Sequence, residues 1–563
     1  MEPWVDALRS RRVLEWPHGS VQRSLYKSMG YSDYDLQRPL IGIANSWNRV
    51  VPGHYNLGLV SEYVKQGIFQ AGGTPVEFGV IAGCDGIAQA HAGMHCILPT
   101  RDLIAHDVEM MVQAHQFDGV VLLGSCDKIV PGLLMAAARL DLPAILVVGG
   151  PMEGGCPFDG RASDITSLTE GLGMFAAGKL DEPALRKLED QVAPTCGSCS
   201  FLGTANTMCC VAEAMGMCLP GSATIPATHA ARLRAAQASG RQIVELVRQG
   251  ITARRIINRK GIENAFRLGA AIGGSTNLAL HIPAIAYEAE CSEIDIDALE
   301  QLASTTPHIA KMNPAAVYNV PDFHAAGGVP ATMKELLPLI HPDAMSVTGG
   351  FLGHILQDVP EGDRRIIRPL SDPWSAAGGL AVLRGNLAPR TAVTKPAAIA
   401  AEQLIFSGLA RCFDREEAAI QAVMDGVVCE GEVVVIRYEG PKGGPGMREM
   451  YTTMKLLYGR GLALKTAVVT DGRFSGTNNG CFVGHVSPEA AEGGPIAIVR
   501  DGDRITIDIP NRRLSLDVSD EEIRSRLAEW KRPAPKFKRG YLALYARLAE
   551  SADKGAILRH EAE

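Results

Sequence analysis

The chain has 563 residues, of which 46% are hydrophobic and 21% charged, and its formal net charge is -7. This length exceeds what one hydrophobic core organises, so two or three domains are expected. Basic residues are scattered and no apolar run approaches the ~20 residues of a membrane span, so we expect neither nucleic acid nor a membrane as a partner. The thirteen cysteines are odd in number and lie mostly in apolar runs. This pattern argues against a secreted disulfide framework and predicts a cytoplasmic protein.

Short apolar runs alternate with helical patterns through the first part of the chain. After a polar lead-in, strands are predicted at 39–44, 75–82, 117–123 and 142–148, and helices at 55–70, 104–114 and 133–140. Such alternation predicts a largely parallel sheet with helices on both faces. We therefore expect an α/β N-terminal domain over residues 1–370.

Two of these predicted strands end in a cysteine followed by an aspartate. Cys84-Asp85 follows the second strand, and Cys126-Asp127-Lys128 follows the third. Neighbouring parallel strands lie about 4.8 Å apart, and ligands bind at their carboxyl ends, so the two loops can share one site. Thiolates suit iron–sulfur groups or zinc, whereas carboxylates suit Mg²⁺ or Ca²⁺. A lone Cys-Asp-Lys sequence is more often a buried cysteine beside a surface ion pair. Here the Cys-Asp pair recurs at a second strand end, which favours a metal site.

A third cysteine motif follows, with Cys196 and Cys199 spaced as CxxC. Alone, this pair is consistent with a redox site or half a zinc site, but no second CxxC or matching histidine pair accompanies it. His91 and His95 have the i,i+4 spacing of a zinc pair on a predicted helix, yet the HExxH glutamate is missing, so we interpret them as surface or packing residues. Three further cysteines lie among apolar residues and are predicted to belong to the core: Cys209, Cys210 and Cys218.

Residues 220–370 are predicted to be mainly helical, with a Gly-rich turn at 273–277 that is either an anion site or an ordinary helix start. Beyond residue 370 the strand pattern dominates, with strands predicted at 431–438, 465–469, 496–500 and 505–509. We expect a mostly β, barrel-like or sandwiched C-terminal domain over residues 371–563, closed by helical residues 520–550. Its Gly-rich loops at 440–449 and 470–476 lack the GK[ST] ending of a phosphate loop, and tight turns are the simpler interpretation.

Taken together, the motifs resemble those of the dihydroxy-acid dehydratase and 6-phosphogluconate dehydratase family. They cover nearly the whole chain in the family's order: NSWN (45–48), GSCDKIVPG (124–132), PTCGSC (194–199), TANTM (204–208), GGSTN (273–277), RYEGPKGGPGMREM (437–450), TDGRFSG (470–476) and GHVSPEAA (484–491). The resemblance implies an α/β domain followed by a β-rich domain in a homodimer or dimer of dimers. It also implies conversion of a small 2,3-dihydroxy acid to a 2-keto acid and water.

The same resemblance assigns roles to particular residues. Cys126 and Cys199 match iron–sulfur ligands, and Ser475 matches the serine that acts as base on the C2 proton. Lys128 matches a lysine that is carbamylated in some members. Three carboxylates match ligands of Mg²⁺: Asp85, Asp127 and Glu449. In this scheme the iron–sulfur group is the Lewis acid on the C3 hydroxyl, and Mg²⁺ binds the carboxylate and the C2 hydroxyl.

The chain departs from one branch of the family at the third cluster cysteine. That branch takes it from a Pro-Cys-Asn loop, where this chain has Gly53. We expect Cys84 to replace it, because it precedes a Mg²⁺-ligand aspartate as Cys126 does, with Cys196 as the second choice. The cluster is then [2Fe–2S] or [4Fe–4S], the former favoured.

The substrate is less closely specified than the reaction. RFSG, GHVSPEA and GPKGGPGMREM resemble branched-chain dihydroxy-acid dehydratases, whereas Phe201-Leu202-Gly203 resembles sugar-acid members. We favour 2,3-dihydroxy-3-methylbutanoate and its homologue, as in branched-chain amino acid biosynthesis, with aldonic acids as the alternative. Two other classes, an iron–sulfur redox protein and a Mg²⁺-dependent phosphotransfer enzyme, are weaker. The first needs neither three carboxylates nor a serine, and the second needs a phosphate loop.

Overall fold

A four-stranded parallel sheet forms the core of the N-terminal part in the computed structural model, which describes residues 8–474 and 480–560. Its strands are β1 (Leu40–Asn45), β2 (Thr74–Gly79), β3 (Gly119–Leu123) and β4 (Ala144–Val147). Their order is β2-β1-β3-β4, and every pairing is parallel. All five residues of β3 are buried, which explains its unbroken run of valine and leucine. The predicted α/β N-terminal architecture is confirmed.

Fifteen α-helices lie in the described chain up to residue 357, and several of them pack against this sheet. They are α1 (Arg9–Leu14), α2 (Ser20–Ser28), α3 (Leu57–Gln70), α4 (Ile97–His115), α5 (Ile129–Leu140), α6 (Ile165–Ala176), α7 (Glu182–Gln191), α8 (Thr204–Ala214), α9 (Ala230–Gln249), α10 (Arg259–Ala271), α11 (Leu278–Glu288), α12 (Ile296–Ser304), α13 (Val320–Ala325), α14 (Gly328–Glu335) and α15 (Leu352–Gln357). A small hairpin, β5 (Pro157–Phe158) and β6 (Arg161–Ala162), precedes α6. Cys209, Cys210 and Cys218 are buried, as predicted.

An eight-stranded sheet organises the C-terminal part. Its strands are β7 (Ala381–Leu383), β8 (Thr391–Thr394), β9 (Ile405–Phe413), β10 (Glu432–Ile436), β11 (Ala467–Thr470), β12 (Cys481–Ser487), β13 (Arg504–Asp508) and β14 (Arg513–Leu516), with α16 (Glu416–Met424), α17 (Tyr451–Gly459), α18 (Asp520–Glu529) and α19 (Tyr541–Leu548) around them. The order is β14-β13-β9-β10-β11-β12-β8-β7. A bridge from Arg384, next to β7, to Arg513 in β14 nearly closes the sheet. The predicted barrel-like architecture is confirmed, while the boundary at residue 370 stays a prediction.

One predicted strand is wrong. Residues 496–500 lie mostly in a 3-10 turn, Pro495–Ile498, rather than in a strand. Pro495 occupies the first helical position, where its missing N–H costs nothing, and the buried Ile496 and Ile498 pack in the barrel core. A short apolar run does not by itself distinguish a buried strand from a buried turn.

Contacts join the N-terminal and C-terminal parts around the candidate site. The His95 ring lies 2.9 Å from the Pro445 carbonyl oxygen, and the Thr276 hydroxyl donates to the Phe474 carbonyl. The Arg101 guanidinium donates to the carbonyls of Gly555 and Ala556 at 2.9 and 3.0 Å. Within the described part of the chain, no helix combines the length and apolarity needed to cross a bilayer.

Gly240 allows α9 to pack closely on α3. A Cβ added at Gly240 would lie 2.1 Å from the Val64 carbonyl oxygen. We therefore expect Gly240→Ala to lower the free energy of unfolding by ~1–3 kcal/mol, because helix backbones must separate. Gly350→Ala is the control, since its added Cβ has its nearest neighbour 3.5 Å away. Urea denaturation compares the two variants, and equal stability would contradict close packing at Gly240.

Candidate active site

The loop after β3 places three chemically distinct side chains together. Cys126 has a φ of +69°, a conformation that non-glycine residues adopt rarely and mostly at functional sites. Asp127 follows it, and the fully buried Lys128 is the N-cap of α5. The left-handed conformation at Cys126 therefore begins the short turn that leads from β3 into α5.

The loop after β2 brings Asp85 to the same place, although β2 and β3 are not neighbours. Each pairs with β1, from opposite sides, so the expected adjacency of the two strands is wrong. The loop after β1 connects the two sides. The ring of His54, which is buried, lies 2.8 Å from the Ser46 carbonyl oxygen and 2.9 Å from that of Ser125. The Asn48 amide donates to the Ala82 carbonyl at 3.4 Å.

Two residues of the C-terminal part complete the group, and both come from the carboxyl ends of adjacent parallel strands. Glu449 lies in the loop after β10, and Arg473 follows β11. Their backbones form a parallel bridge, with Arg473 N–H donating to the Arg448 carbonyl at 2.9 Å. The site thus lies where the carboxyl ends of parallel strands from the two sheets meet, the position at which such strands bind ligands.

Three carboxylates form one compact group there. One oxygen each of Asp85, Asp127 and Glu449 lies within 4.8 Å of the others. Two buried cations offset part of their charge. Lys128 Nζ is 3.0 Å from Asp85 and 3.7 Å from Asp127, and Arg473 donates to Asp85 at 3.2 Å and forms an ion pair with Glu449.

This group has the chemistry of a site for a hard divalent cation. With all five groups charged, three negative and two positive charges leave one net negative charge. The buried Oδ1 of Asp85 has no hydrogen-bond partner among the described residues, which leaves an oxygen available as a ligand. Mg²⁺ takes oxygen ligands of this kind, so the residues fit such an ion.

Asp127 is the carboxylate most affected by its surroundings. Burial and the adjacent charge of Asp85 raise its pKa to about 7, although Lys128 and Arg473 oppose the shift. Without a bound cation, Asp127 is therefore largely protonated at mildly acidic pH. A divalent cation would favour its ionised form.

Three thiols lie beside the carboxylates. Burial raises the pKa of Cys126 and Cys199 well above the ordinary value, and the nearby Cys84 contributes to both shifts. The pKa of Cys84 is itself raised, by burial first and by Asp85 among the charges. A bound metal group would therefore have to deprotonate these thiols.

The three sulfurs are spaced more widely than the carboxylate oxygens. Within the described part of the chain, Asp85, Asp127 and Glu449 form the group of three potential metal ligands whose atoms all lie within 4.8 Å of one another.

Gly53 lies against the same thiols. A Cβ added to it would approach Cys126 Sγ to 2.5 Å and the Ser198 backbone nitrogen to 3.2 Å. The CxxC loop is fixed nearby, because Gly197 N–H donates to the Pro52 carbonyl at 3.1 Å and Ser198 N–H to the Gly150 carbonyl at 2.9 Å. The position at which the other branch has its cysteine is therefore next to Cys126, and glycine leaves no thiol there.

Some predicted residues lie elsewhere. Ser475 is outside the described residues, so its predicted role stays a prediction. His91 and His95 do not share an α-helix: His91 caps a 3-10 turn, Ala92–Cys96, that contains His95. The His95 ring instead lies against the Pro445 carbonyl of the barrel loop, a packing role consistent with our interpretation. The 273–277 turn precedes α11 and contacts the barrel through Thr276.

Sequence reasoning missed three residues of the site. Arg473 is buried and pairs with two of the carboxylates, and His54 fixes the loop after β1. His485 has a φ of +55°, is buried, and neither of its ring nitrogens has a partner among the described residues. Burial, together with the Arg473 and Lys128 charges, lowers the pKa of His485 to about 3, so its ring is neutral. The motifs RFSG and GHVS contained two of these residues, but nothing in the sequence pattern indicated their burial.

An α/β unit and a barrel that jointly hold a carboxylate group beside three thiols define a candidate metal-dependent enzyme. Models of the dihydroxy-acid/6-phosphogluconate dehydratase N-terminal and C-terminal domains match residues 38–355 and 365–556. The chain therefore belongs to this family of dehydratases, which are hydro-lyases.

Curated relatives align over almost the entire chain. A dihydroxy-acid dehydratase of Acetivibrio thermocellus is 50% identical over 98% of this chain and 100% of its own length. The dihydroxy-acid dehydratase of Caldanaerobacter subterraneus subsp. tengcongensis is 50% identical over 98% of this chain and 99% of its own. That of Syntrophobacter fumaroxidans is 49% identical over the same shares.

The raised pKa of Asp127 predicts pH-dependent cation binding. Below a pH of about 7 the metal-free carboxyl holds a proton that the cation must displace, so affinity for Mn²⁺ should rise by up to about tenfold per pH unit and level off above pH 7. Isothermal titration calorimetry from about pH 6 to 8 measures this. Asp127→Asn should bind Mn²⁺ more weakly than wild type, and its affinity should not rise with pH. A wild-type affinity for Mn²⁺ that is equal across this pH range would contradict the assignment of Asp127 as a ligand.

Proposed function

We propose that the chain is a dihydroxy-acid dehydratase that converts branched-chain 2,3-dihydroxy acids, such as 2,3-dihydroxy-3-methylbutanoate, to 2-keto acids and water. The observation that carries this proposal is the grouping of Asp85, Asp127 and Glu449 beside the thiols of Cys84, Cys126 and Cys199. Relatives that share half of the sequence over their full length are named dihydroxy-acid dehydratase, which supports the same reaction.

The reaction sets two chemical requirements. The C2 proton is hard to remove because the neighbouring carboxylate is already negative, and hydroxide is a poor leaving group from C3. When bound, Mg²⁺ at the carboxylates and an iron–sulfur group at the thiols would supply Lewis-acid stabilisation of these charges. Asp85, Asp127 and Glu449 would hold the first group, with Lys128 beside them, and Cys126, Cys199 and Cys84 the second.

The chain's own residues prepare the site for an anionic substrate. Lys128 and Arg473 place two buried positive charges against the carboxylates, which limits the negative potential that a dihydroxy acid would meet. Ser475, two residues after Arg473, would accept the C2 proton. A serine hydroxyl is a weak acid, so its alkoxide needs positive charge close by. The guanidinium of Arg473, two residues earlier in the sequence, is buried, which supports this role.

Cys84 is our candidate for the third thiolate. Its proximity to Cys126 and Cys199, through which it raises the pKa of both, supports this choice over Cys196. Gly53 contributes no sulfur. These three thiolates would hold the iron–sulfur group, for which we favour [2Fe–2S], with [4Fe–4S] as the alternative.

Sugar-acid dehydration is the second candidate function. The sequence Phe201-Leu202-Gly203 before α8 favours it. Electron transfer alone is a weaker candidate, because it would not require three buried carboxylates. We further propose a cytoplasmic homodimer or dimer of dimers without nucleic-acid or membrane partners; sedimentation velocity tests the assembly.

Substrate assays test the proposed reaction. Anaerobically prepared enzyme with Mg²⁺ should form a 2-keto acid faster from 2,3-dihydroxy-3-methylbutanoate than from an aldonate such as gluconate, monitored by derivatising the keto group. Ser475→Ala should lower kcat by about 10²–10⁴-fold with the metals retained, because a general base is lost. Near-normal turnover in that variant would exclude Ser475 as the base, and preference for gluconate would favour the sugar-acid alternative.

Single serine substitutions test the thiol ligands. Cys126→Ser, Cys199→Ser and Cys84→Ser should each weaken iron retention by about tenfold or more, since each removes a ligand. Cys218→Ser is the control, because this buried cysteine lies in the core. Iron and acid-labile sulfide per chain are measured after anaerobic purification. Loss in Cys196→Ser but not in Cys84→Ser would move the third ligand to Cys196.

A further inference from the structure

A large cleft has none of the carboxylates or thiols of the candidate site in its lining. Its volume is about 1270 Å³, and its walls come from the turn at His95, from barrel loops around residues 414–417 and 438–448, and from residues 532–547. This is slightly above the ~300–1,000 Å³ typical of small-molecule sites. Its lining contains seven Lys or Arg residues and three Asp or Glu residues, in a chain whose net charge is -7.

Each acidic residue of the lining is already paired. Asp414 binds Arg437 outside the cleft at 2.6 Å, Glu417 lies 2.8 Å from Arg448, and Glu492 pairs with Lys442. Four basic residues of the lining have no ion-pair partner within residues 8–474 and 480–560: Arg415, Arg532, Lys538 and Arg547. They come from two separate stretches of the chain, at residue 415 and within residues 532–547, so the cleft holds an uncompensated positive charge that folding brings together.

The segment that carries two of these cations is fixed in place. Lys536, between them, donates to the Tyr438 carbonyl at 2.8 Å, and the Phe537 ring packs edge-on against His95 with centroids 5.3 Å apart. Trp530 donates to the Tyr438 hydroxyl at 3.1 Å. Arg532 and Lys538 are therefore presented from an anchored backbone, which reduces the entropy lost when they bind a ligand.

A buried donor also borders the cleft. Arg448 is 1% exposed, and its Nε has no hydrogen-bond partner among the described residues although its other nitrogens pair with glutamates. Guanidinium groups bind phosphate and carboxylate oxygens through paired hydrogen bonds. A cleft lined mainly by positive charges also concentrates a positive electrostatic potential, which attracts anions. Four unpaired cations exceed what one carboxylate requires, so the charge matches an anion with several negative groups.

We propose that this cleft is a binding site for a small, multiply charged molecule that bears phosphate groups. The ligand's phosphates contact Arg415, Arg532, Lys538 and Arg547, and the site works independently of the dehydration reaction. The dihydroxy acid, with a single carboxylate, is a poor match for it.

Pyrophosphate is the probe, titrated calorimetrically into the full-length protein without added divalent cations. We expect saturable binding of one pyrophosphate per chain, and ADP at the same site if the natural ligand is a nucleotide. Arg532→Glu/Lys538→Glu should weaken binding by about tenfold or more, because two charge-assisted contacts are lost. Lys531→Glu/Arg539→Glu is the matched control: it makes the same charge change in the same exposed segment, at residues outside the lining. It should change affinity by less than about twofold.

Three results would overturn the proposal. Wild-type protein that binds no pyrophosphate at low ionic strength excludes the site. Equal weakening in both double variants reduces the effect to general surface charge. The third result has two parts: the wild-type protein binds no pyrophosphate, and Arg532→Glu/Lys538→Glu sediments as a smaller assembly than wild type. This result would assign the cleft to an interface between copies of the chain. Circular dichroism and thermal melting establish that each variant is folded, and Arg415→Ala provides a milder change at the same cleft.

Discussion

The candidate site depends on three carboxylates, those of Asp85, Asp127 and Glu449, being held close together. Two ionised carboxylates whose oxygens lie within 4.8 Å of each other repel by at least about 3 kcal/mol at an effective dielectric constant of about 20. Lys128 and Arg473 oppose this repulsion, and both are fully buried, so their charges are poorly screened. The compensation is incomplete, which is consistent with the raised pKa of Asp127. A group that is short of one positive charge and has an unpartnered carboxylate oxygen is well prepared for a divalent cation.

The need to bring these charges together explains the arrangement of the two sheets. One sheet contributes Asp85, Asp127 and Lys128, and the barrel contributes Glu449 and Arg473, in each case from loops at the carboxyl ends of parallel strands. Neither part alone contains both the carboxylate group and its two cations. The contacts of His95 with Pro445 and of Thr276 with Phe474 lie beside these loops, so the junction between the two parts is also the support of the site.

Much of this could be predicted from the sequence, for identifiable reasons. The continuous valine and leucine pattern of the buried strand β3 predicted a parallel sheet. Cys84-Asp85 and Cys126-Asp127 stand where predicted strands end, and this predicted the edge of the sheet at which the site lies. The order of the strands could not be predicted, because spacing along the chain does not show that β1 lies between β2 and β3. Arg473 and His485 were missed because burial and ion pairing depend on contacts between distant segments. The basic cleft was missed for the same reason: three of its unpaired cations lie within residues 532–547, but Arg415 and the barrel loops join them only after folding.

Anomalous diffraction from anaerobically grown crystals containing Mn²⁺ in place of Mg²⁺ would test the central claim most directly. The account predicts a manganese peak about 2.1 Å from oxygens of Asp85, Asp127 and Glu449, and separate iron peaks about 2.3 Å from the sulfurs of Cys126 and Cys199. Manganese bound elsewhere, or a single metal site shared by the thiols and carboxylates, would contradict it.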